Sequence, residues 1–405
     1  MISCAGLANV DPVAERVRIL ESIADVPKAA WDGLLEPGAP PFSRWDWIHS
    51  LESSGSASKR TGWEPHHVTL WRGDVLIGAA PAYRKSHSMG EYIYDFSWAH
   101  AAQELGIDYY PKLLVGVPLS PITARRFNAA PGEDLAKIRA MLLDAAVLSA
   151  EEEALSSVHV IFPPEDEAAA LERAGLAHRT GMQYHWKNPG YATYDEYLAR
   201  FGSKRRHQLR RERAEAEKQG IVIRTIAGPQ LTQEHADLAS RFYESTSSKN
   251  GWGHVQLNRA FFRSVFAAMP DAVEMVLAEK DGRVIAGAFN VGTADRLFGR
   301  YWGCFEEYPF LHFNVCLYHS VDDCIRRGRK VFEPGAGGEH KIARGFEPTA
   351  IHSVHRIFDA RLDRAIRDFV RREARALSGY LSQSQEVAGM KPLGLGDSPR
   401  DGNGE

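Results

Sequence analysis

Apolar and polar positions follow two rhythms along this chain, and the changes of rhythm mark its elements. Trp45, Ile48 and Leu51 recur at helical spacing and predict a helix over 43–53, after a weak strand over 17–20. From His67 to Tyr83 two β-rich runs flank Arg72-Gly73-Asp74, which predicts a hairpin. Tyr92, Tyr94, Phe96 and Trp98 alternate with polar residues, the period of a strand with one covered face. Leu113 to Val117 is apolar throughout and predicts a fully buried strand. A helix over 133–150, a strand over 157–162, a helix over 164–174 and a strand near 183–186 complete a mixed α/β unit. Asn188-Pro189-Gly190 reads as its end.

Residues 191–219 then read as one long helix stopped by Gly220, where a C′ glycine is expected. Tyr194, Leu198, Phe201 and Leu209 give it an interrupted apolar stripe, and basic residues crowd the rest. A strand over 221–226 and helices over 233–247 and 258–268 follow. Three β runs, 273–279, 284–291 and 297–302, come next, with Asp281-Gly282 as the first turn. A helix over 310–327, a last strand over 351–358 and a helix over 361–380 close the second unit. The two halves share one order of elements, which suggests an internally duplicated α/β architecture without a fixed-period repeat. The expected division is a first domain over 1–188, a second over 189–384 that contains the basic helix 191–219, and a disordered tail over 385–405 that is rich in Gly and polar residues.

One stretch carries candidate chemistry. Val331 and Phe332 run into Pro334-Gly335-Ala336-Gly337-Gly338 and then deliver Glu339, His340, Lys341 and Arg344. Such glycines free main-chain N–H groups to point at an anion. The residues after them offer a carboxylate, a base of near-neutral pKa and two cations, which suits moving an acyl group onto an amine. The plainer alternative is a strand-to-helix turn with ordinary surface charges.

Composition narrows the class. The chain has 405 residues, 44% of them apolar and 25% charged, which fits two soluble domains. No apolar run reaches the roughly 18 residues of a membrane span, and no basic start followed by an apolar core opens the chain, so a cytoplasmic protein is expected. A net charge of −3 excludes a wholly basic DNA-binding protein and leaves nucleic-acid contact to a local patch. That patch is the helix from Lys204 to Arg213, where Lys204, Arg205, Arg206, His207, Arg210, Arg211 and Arg213 lie close together. The four cysteines form no C-x-x-C pair and read as reduced thiols. His312, Cys316 and His319 share helical spacing as metal ligands do, but such triplets arise readily by chance and no metal site is assigned.

Seven blocks in order along the chain carry a family resemblance: GWEPHH (62–67), KSHSMGEYIYDFSWA (85–99), YYPKLLVGVPLSP (109–121), HVIFP (159–163), RTGMQYHWKNPGY (179–191), GRYWGCFEEYPFLHF (299–313) and GEHKIARGFEP (338–348). Together they resemble the FemAB-like proteins of peptidoglycan biosynthesis/recognition, grouped with the N-acyltransferase superfamily. The resemblance implies an α/β fold with mixed sheets, built as tandem acetyltransferase-like (GNAT/Fem-type) domains with a cleft between or beside them. The chain departs from the family's usual wording at Gly337, where a glutamine is expected, at Asn314, where an acid is usual, and at 248–252. These departures bear on the acceptor rather than the fold.

By the same resemblance the chain is an aminoacyl or acyl transferase that forms an amide on an amine, with aminoacyl-tRNA as donor and no permanently bound cofactor. The acceptor is a cell-wall precursor or a small-molecule amine of a specialised biosynthetic pathway. His340 or Glu339 would handle the proton, and Lys341, Arg344 and Arg300 would contact donor phosphate or the oxyanion. Glu91, Tyr109, Tyr110, Lys112 and His185 would recognise the acceptor, and Lys204, Arg205, Arg206 and Arg210 would ride along the tRNA acceptor stem. The alternative donor is acetyl-CoA, whose pyrophosphate loop, roughly [QR]-x-x-G-x-[GA] at a helix N-terminus, is not spelled cleanly here. A third reading is a peptidoglycan-recognition protein without catalysis.

Overall fold

The computed structural model describes residues 14–247 and 256–387, apart from the side chains of Glu339 and of residues 378–387. Its first half contains β1 (Glu15–Leu20), α1 (Lys28–Asp32), α2 (Trp45–Ser53), β2 (Trp63–Pro65), β3 (His67–Arg72), β4 (Val75–Ala80) and β5 (Ala82–Lys85). Then come α3 (Phe96–Glu104), β6 (Lys112–Val115), β7 (Asn128–Ala129), α4 (Leu135–Glu152), β8 (Ser157–Ile161), α5 (Glu165–Arg173) and β9 (Ala177–Lys187). The second half holds α6 (Tyr194–Ala199), α7 (Ser203–Lys218), β10 (Val222–Ala227), α8 (Gln233–Ser247), α9 (Arg259–Ala268), β11 (Val273–Lys280), β12 (Arg283–Gly292) and β13 (Arg296–Cys304). Helix α10 (Leu311–Phe313) passes through a π turn, Asn314–Tyr318, into α11 (His319–Arg326). After β14 (Val331–Glu333) and a 3-10 turn, Glu339–Arg344, the chain ends its described part with β15 (Glu347–Ile357) and α12 (Ala360–Val387).

Local signals account for many of these boundaries. Asp134 caps α4 by accepting from the N–H groups of Ala136 and Lys137, and Ile138, Leu142, Ala146 and Ala150 form its buried stripe. Asn258 caps α9 through the N–H of Phe261. Asp281 and Gly282, both with positive φ (51° and 74°), make the tight turn that joins β11 to β12.

Eleven strands form one sheet in the order β10-β11-β12-β13-β14-β9-β15-β8-β6-β5-β2, and β1-β3-β4-β7 form a second, smaller sheet. The large sheet passes from one half of the chain to the other where β14 meets β9 through Val331 and Phe332. Strand β15 lies between β8 and β9 and pairs antiparallel with both. A cut at residue 188 would leave this strand on one piece and its two partners on the other. The interior is shared as well: Trp47 of α2 meets Phe261 of α9 edge-on at 5.2 Å, Phe42 meets Phe298 at 5.3 Å, and the hydroxyls of Ser50 and Ser264 are 2.8 Å apart.

Three expectations need correction. The run from Tyr92 to Trp98 is a loop entering α3, with Tyr92 and Tyr94 at positive φ (62° and 53°). Its period of two is real but inverted: Glu91, Ile93 and Asp95 are buried, while Tyr94 and Phe96 are exposed, because the two carboxylates turn inward onto Lys112. The helix expected over 191–219 is broken between α6 and α7. Phe201 drops into the core with no exposure, edge-on to Tyr197, and Gly202 leaves the helical conformation before Ser203 restarts it. Helix α12 continues through Val387, so the tail expected from 385 is helical for three more residues and otherwise lies outside the described residues, as do 248–252.

Candidate active site

A cavity of about 730 Å³ opens between the loop 88–96 of the first half and β12, β13, the π turn and the glycine-rich turn of the second. That volume suits a small molecule or one end of a larger one. Its floor is made by a β-bulge. Phe289 pairs with Tyr301 and Asn290 with Gly299, so Arg300 is the extra residue of β13. Strand β13 approaches the turn closely at a glycine: a Cβ on Gly299 would stand 3.2 Å from the Pro334 backbone, tighter than most such contacts.

The glycine-rich turn faces this cavity and brings Lys341 and His340 to its wall. Gly335, Gly337 and Gly338 all have positive φ, and the Lys341 ammonium closes the turn by donating to the carbonyls of Gly335 (2.8 Å) and Gly337 (2.6 Å). An ammonium has three N–H donors, so one remains beyond these two bonds. Burial pushes the Lys341 pKa down to about 8, with no carboxylate partner among the described residues. His340 is more exposed, and burial together with the charges of Lys341 and Arg344 lowers its pKa, so the ring is neutral at pH 7. His312 lines the wall too, and burial lowers it to about 4.

Arg300 lines the cavity and donates from Nη2 to the Leu119 carbonyl across the cleft. Arg344 does not line it. Its guanidinium is buried, donating to Tyr318 Oη (2.8 Å), Glu212 Oε2 (2.8 Å) and the His340 carbonyl (2.9 Å) while lying over the Phe313 ring. It therefore braces the turn from behind. Glu339 belongs to the 3-10 turn, and its side chain lies outside the described residues.

Glu91, Tyr109, Lys112 and His185 lie behind the wall. The Lys112 ammonium is fully buried and donates to Glu91 (2.9 Å), Asp95 and Ser88 (3.2 Å), and Tyr109 donates to Asp95 (2.7 Å). Burial raises the Glu91 pKa to about 7, outweighing Lys112 because Asp95 shares the same ammonium. Burial would raise Asp95 as well, but the charges of Lys112 and His159 hold it well below the usual carboxylate range. This cluster and Lys85, which donates to the Met89 carbonyl at 3.1 Å, anchor the loop whose outer residues line the cavity. Tyr110 reaches that loop through a 2.6 Å contact with the Ser88 hydroxyl. His185 is buried against Gln183 and Glu333, and burial lowers it to about 3, which leaves a neutral ring.

The basic residues of α7 divide in two. Arg205 donates to Gln208, Arg210 pairs with Asp195, and Arg213 pairs with Asp322. Lys204, Arg206 and Arg211 form no ion pair among the described residues. Glu212 points the other way, accepting from Arg344, Tyr318 and Gln208, so this helix is clasped to the back of the glycine-rich turn. Asn314 completes the clasp by donating to the Glu212 carbonyl at 2.8 Å, which an acid at that position could not do. His319 is turned to Thr225 of β10 (2.9 Å), whereas His312 and Cys316 line the cavity.

Sequence reasoning missed Asn290, which is 2% exposed and lines the cavity floor. Its signal was a lone amide inside the apolar run Ile285 to Val291, since a buried polar side chain in a central strand requires a reason.

The architecture is that of tandem acetyltransferase-like domains joined through one sheet. Over residues 22–392 the chain matches the FemAB-like family, described as peptidoglycan biosynthesis/recognition, and it belongs to that family. Its fold is similar to that of FemX, with 12% identity, a TM-score of 0.50, and coverage of 84% of this chain and 98% of the other. It is equally similar to the C-terminal domain of a putative lysylphosphatidylglycerol synthetase from Agrobacterium fabrum, with 12% identity, a TM-score of 0.50, and coverage of 85% and 96%. A tandem GNAT protein of the clavulanic acid pathway aligns with a TM-score of 0.44 at 12% identity over 85% and 98% of the two chains. No curated protein matches the sequence. No helix among the described residues is long and apolar enough to cross a membrane.

Proposed function

We propose that this protein is an N-acyltransferase that moves an aminoacyl group from aminoacyl-tRNA to an amine of a cell-wall precursor or a small biosynthetic intermediate. The observation that carries the reading is the glycine-rich turn at the wall of the cleft, where a neutral imidazole and an ammonium without an ion pair among the described residues line the same cavity. An ester donor is already activated, so the protein has to position the amine, remove one proton and stabilise the oxyanion.

The amine nitrogen attacks the ester carbonyl carbon. The C–N bond forms and the carbonyl electrons move to oxygen. Lys341, through its remaining N–H, stabilises that oxyanion, and His340 accepts the amine proton. When the tetrahedral intermediate collapses, the C–O bond breaks and the departing tRNA hydroxyl takes a proton from the imidazolium. Arg344 is a positioning residue, holding the His340 carbonyl from behind. Lys204, Arg206 and Arg211 on the outer face of α7 supply phosphate contacts for a donor too large for the cavity.

Purified protein, charged tRNA and a panel of amines, followed by mass spectrometry, test the reading. The expected result is an acceptor heavier by one aminoacyl residue, formed only with charged tRNA. Consumption of acetyl-CoA with no tRNA-dependent product would overturn it. Acetyl-CoA is disfavoured because the loop that would hold its pyrophosphate at a helix N-terminus is not spelled cleanly in the sequence.

A further inference from the structure

The floor of the cavity has a feature that amide formation as such does not require. Asn290 Nδ2 and Arg300 Nε are both buried and have no hydrogen-bond partner among the described residues. They belong to residues brought together by the β12/β13 bulge, where Asn290 is paired with Gly299 and Arg300 follows. Leaving buried donors without acceptors is costly, so two on residues that line the same cavity mark a place for an acceptor. No Asp or Glu lines the cavity among the described residues, so Arg300 and Lys341 are cations without a counter-charge there.

We infer that the cavity floor is a carboxylate subsite, in which Asn290 and Arg300 hold the carboxylate of an amino-acid-type acceptor. The assignment rests on the transferase reading only for the word acceptor. The donor's aminoacyl carboxyl is esterified and brings no free carboxylate, so the anion belongs to the molecule that supplies the amine. A carboxylate suits the donors better than a phosphate. It presents two coplanar oxygens to an amide N–H and a guanidinium N–H, and its single charge matches the single guanidinium of Arg300. A phosphate monoester carries about −1.5 to −2 charges at pH 7. Tyr92, Tyr243, Tyr301 and Trp302 on the surrounding walls favour an acceptor with an aromatic or apolar body.

Calorimetric titration of the full chain at pH 7 without donor tests this. The probes are glycyl-L-tyrosine and its C-terminal amide, with inorganic phosphate as competitor. The dipeptide acid should bind about tenfold or more tightly than the amide, the equivalent of about 1.4 kcal/mol. Asn290→Leu, which keeps the branched shape without the N–H donor, should remove most of that advantage. Arg300→Lys, which keeps the charge but loses the Nε donor, should remove part of it. Equal affinity for acid and amide, failure of both to bind, or displacement of the acid by phosphate at lower concentration would each overturn the assignment. The titration contains no donor, so a failed transfer assay leaves the subsite standing. Equal turnover of acid and amide would remove the subsite and leave the transferase.

Discussion

Lys112 and Lys341 are both buried lysines beside the same cavity, and they differ in what surrounds the charge. Lys112 is fully enclosed and matched by two carboxylates, a hydroxyl and the nearby tyrosine rings. Lys341 is held by two carbonyl oxygens, and its pKa falls accordingly. The first arrangement consumes the charge to fix a loop. The second leaves charge and one donor for something that enters the cleft. Ion pairing, more than burial, thus separates the bracing cation from the working one.

The most damaging way to probe that contrast is Lys112→Met. It leaves Glu91 and Asp95 buried without a cation and should cost about 3–5 kcal/mol in denaturant unfolding, since breaking a buried pair strands its partner. A cost under about 1 kcal/mol would show that the cluster is not sealed. Lys341→Met should cost less in stability, about 1–3 kcal/mol for the bonds to Gly335 and Gly337. It should lower the transfer rate by about 100-fold beyond any folding loss, the scale of removing one oxyanion donor.

The pH dependence sharpens the same comparison. Lys341 titrates near 8 when folded and higher when unfolded, so the unfolded chain binds more protons between those values and this group makes stability rise with pH across that window. Oxyanion stabilisation needs the ammonium, so the transfer rate should fall as pH rises through about 8. His340 must be neutral to accept the amine proton, so the rate should also fall on the acid side, through a pKa below the ordinary histidine value. His340→Gln should flatten the acid limb alone. The smallest effect concerns α7: replacing Lys204, Arg206 and Arg211 by Gln should reduce the slope of log affinity for tRNA against log salt by about 0.9 per lost phosphate contact. An unchanged slope would separate this helix from the donor.

Much of this was legible in the sequence where the cause is local. The hairpin at Arg72-Gly73-Asp74, the turn at Asp281-Gly282 and the conformation of the glycine-rich turn follow from residues within a few positions of one another. The inverted alternation at Glu91 to Phe96 was not legible, because it depends on Lys112 arriving from β6. Lys341 and Arg344 stand three residues apart in one charged block, and only the positions of Glu212 and Tyr318 turn one to the back of the turn and leave the other at the cavity. Arg205 and Arg210 looked equivalent to Arg206 and Arg211 until Gln208 and Asp195 occupied them.

The placement of β15 between β8 and β9 has a consequence for how the molecule is made. Strand β9 leaves the ribosome some 160 residues before the segment that fills the gap between it and β8, so a nascent chain carries two open sheet edges through that stretch of its synthesis. Such long-range closure slows folding. The imidazoles of His159 and His355, 2.7 Å apart in the finished interior, come together only at that last step, which makes their burial a readout of when assembly is complete.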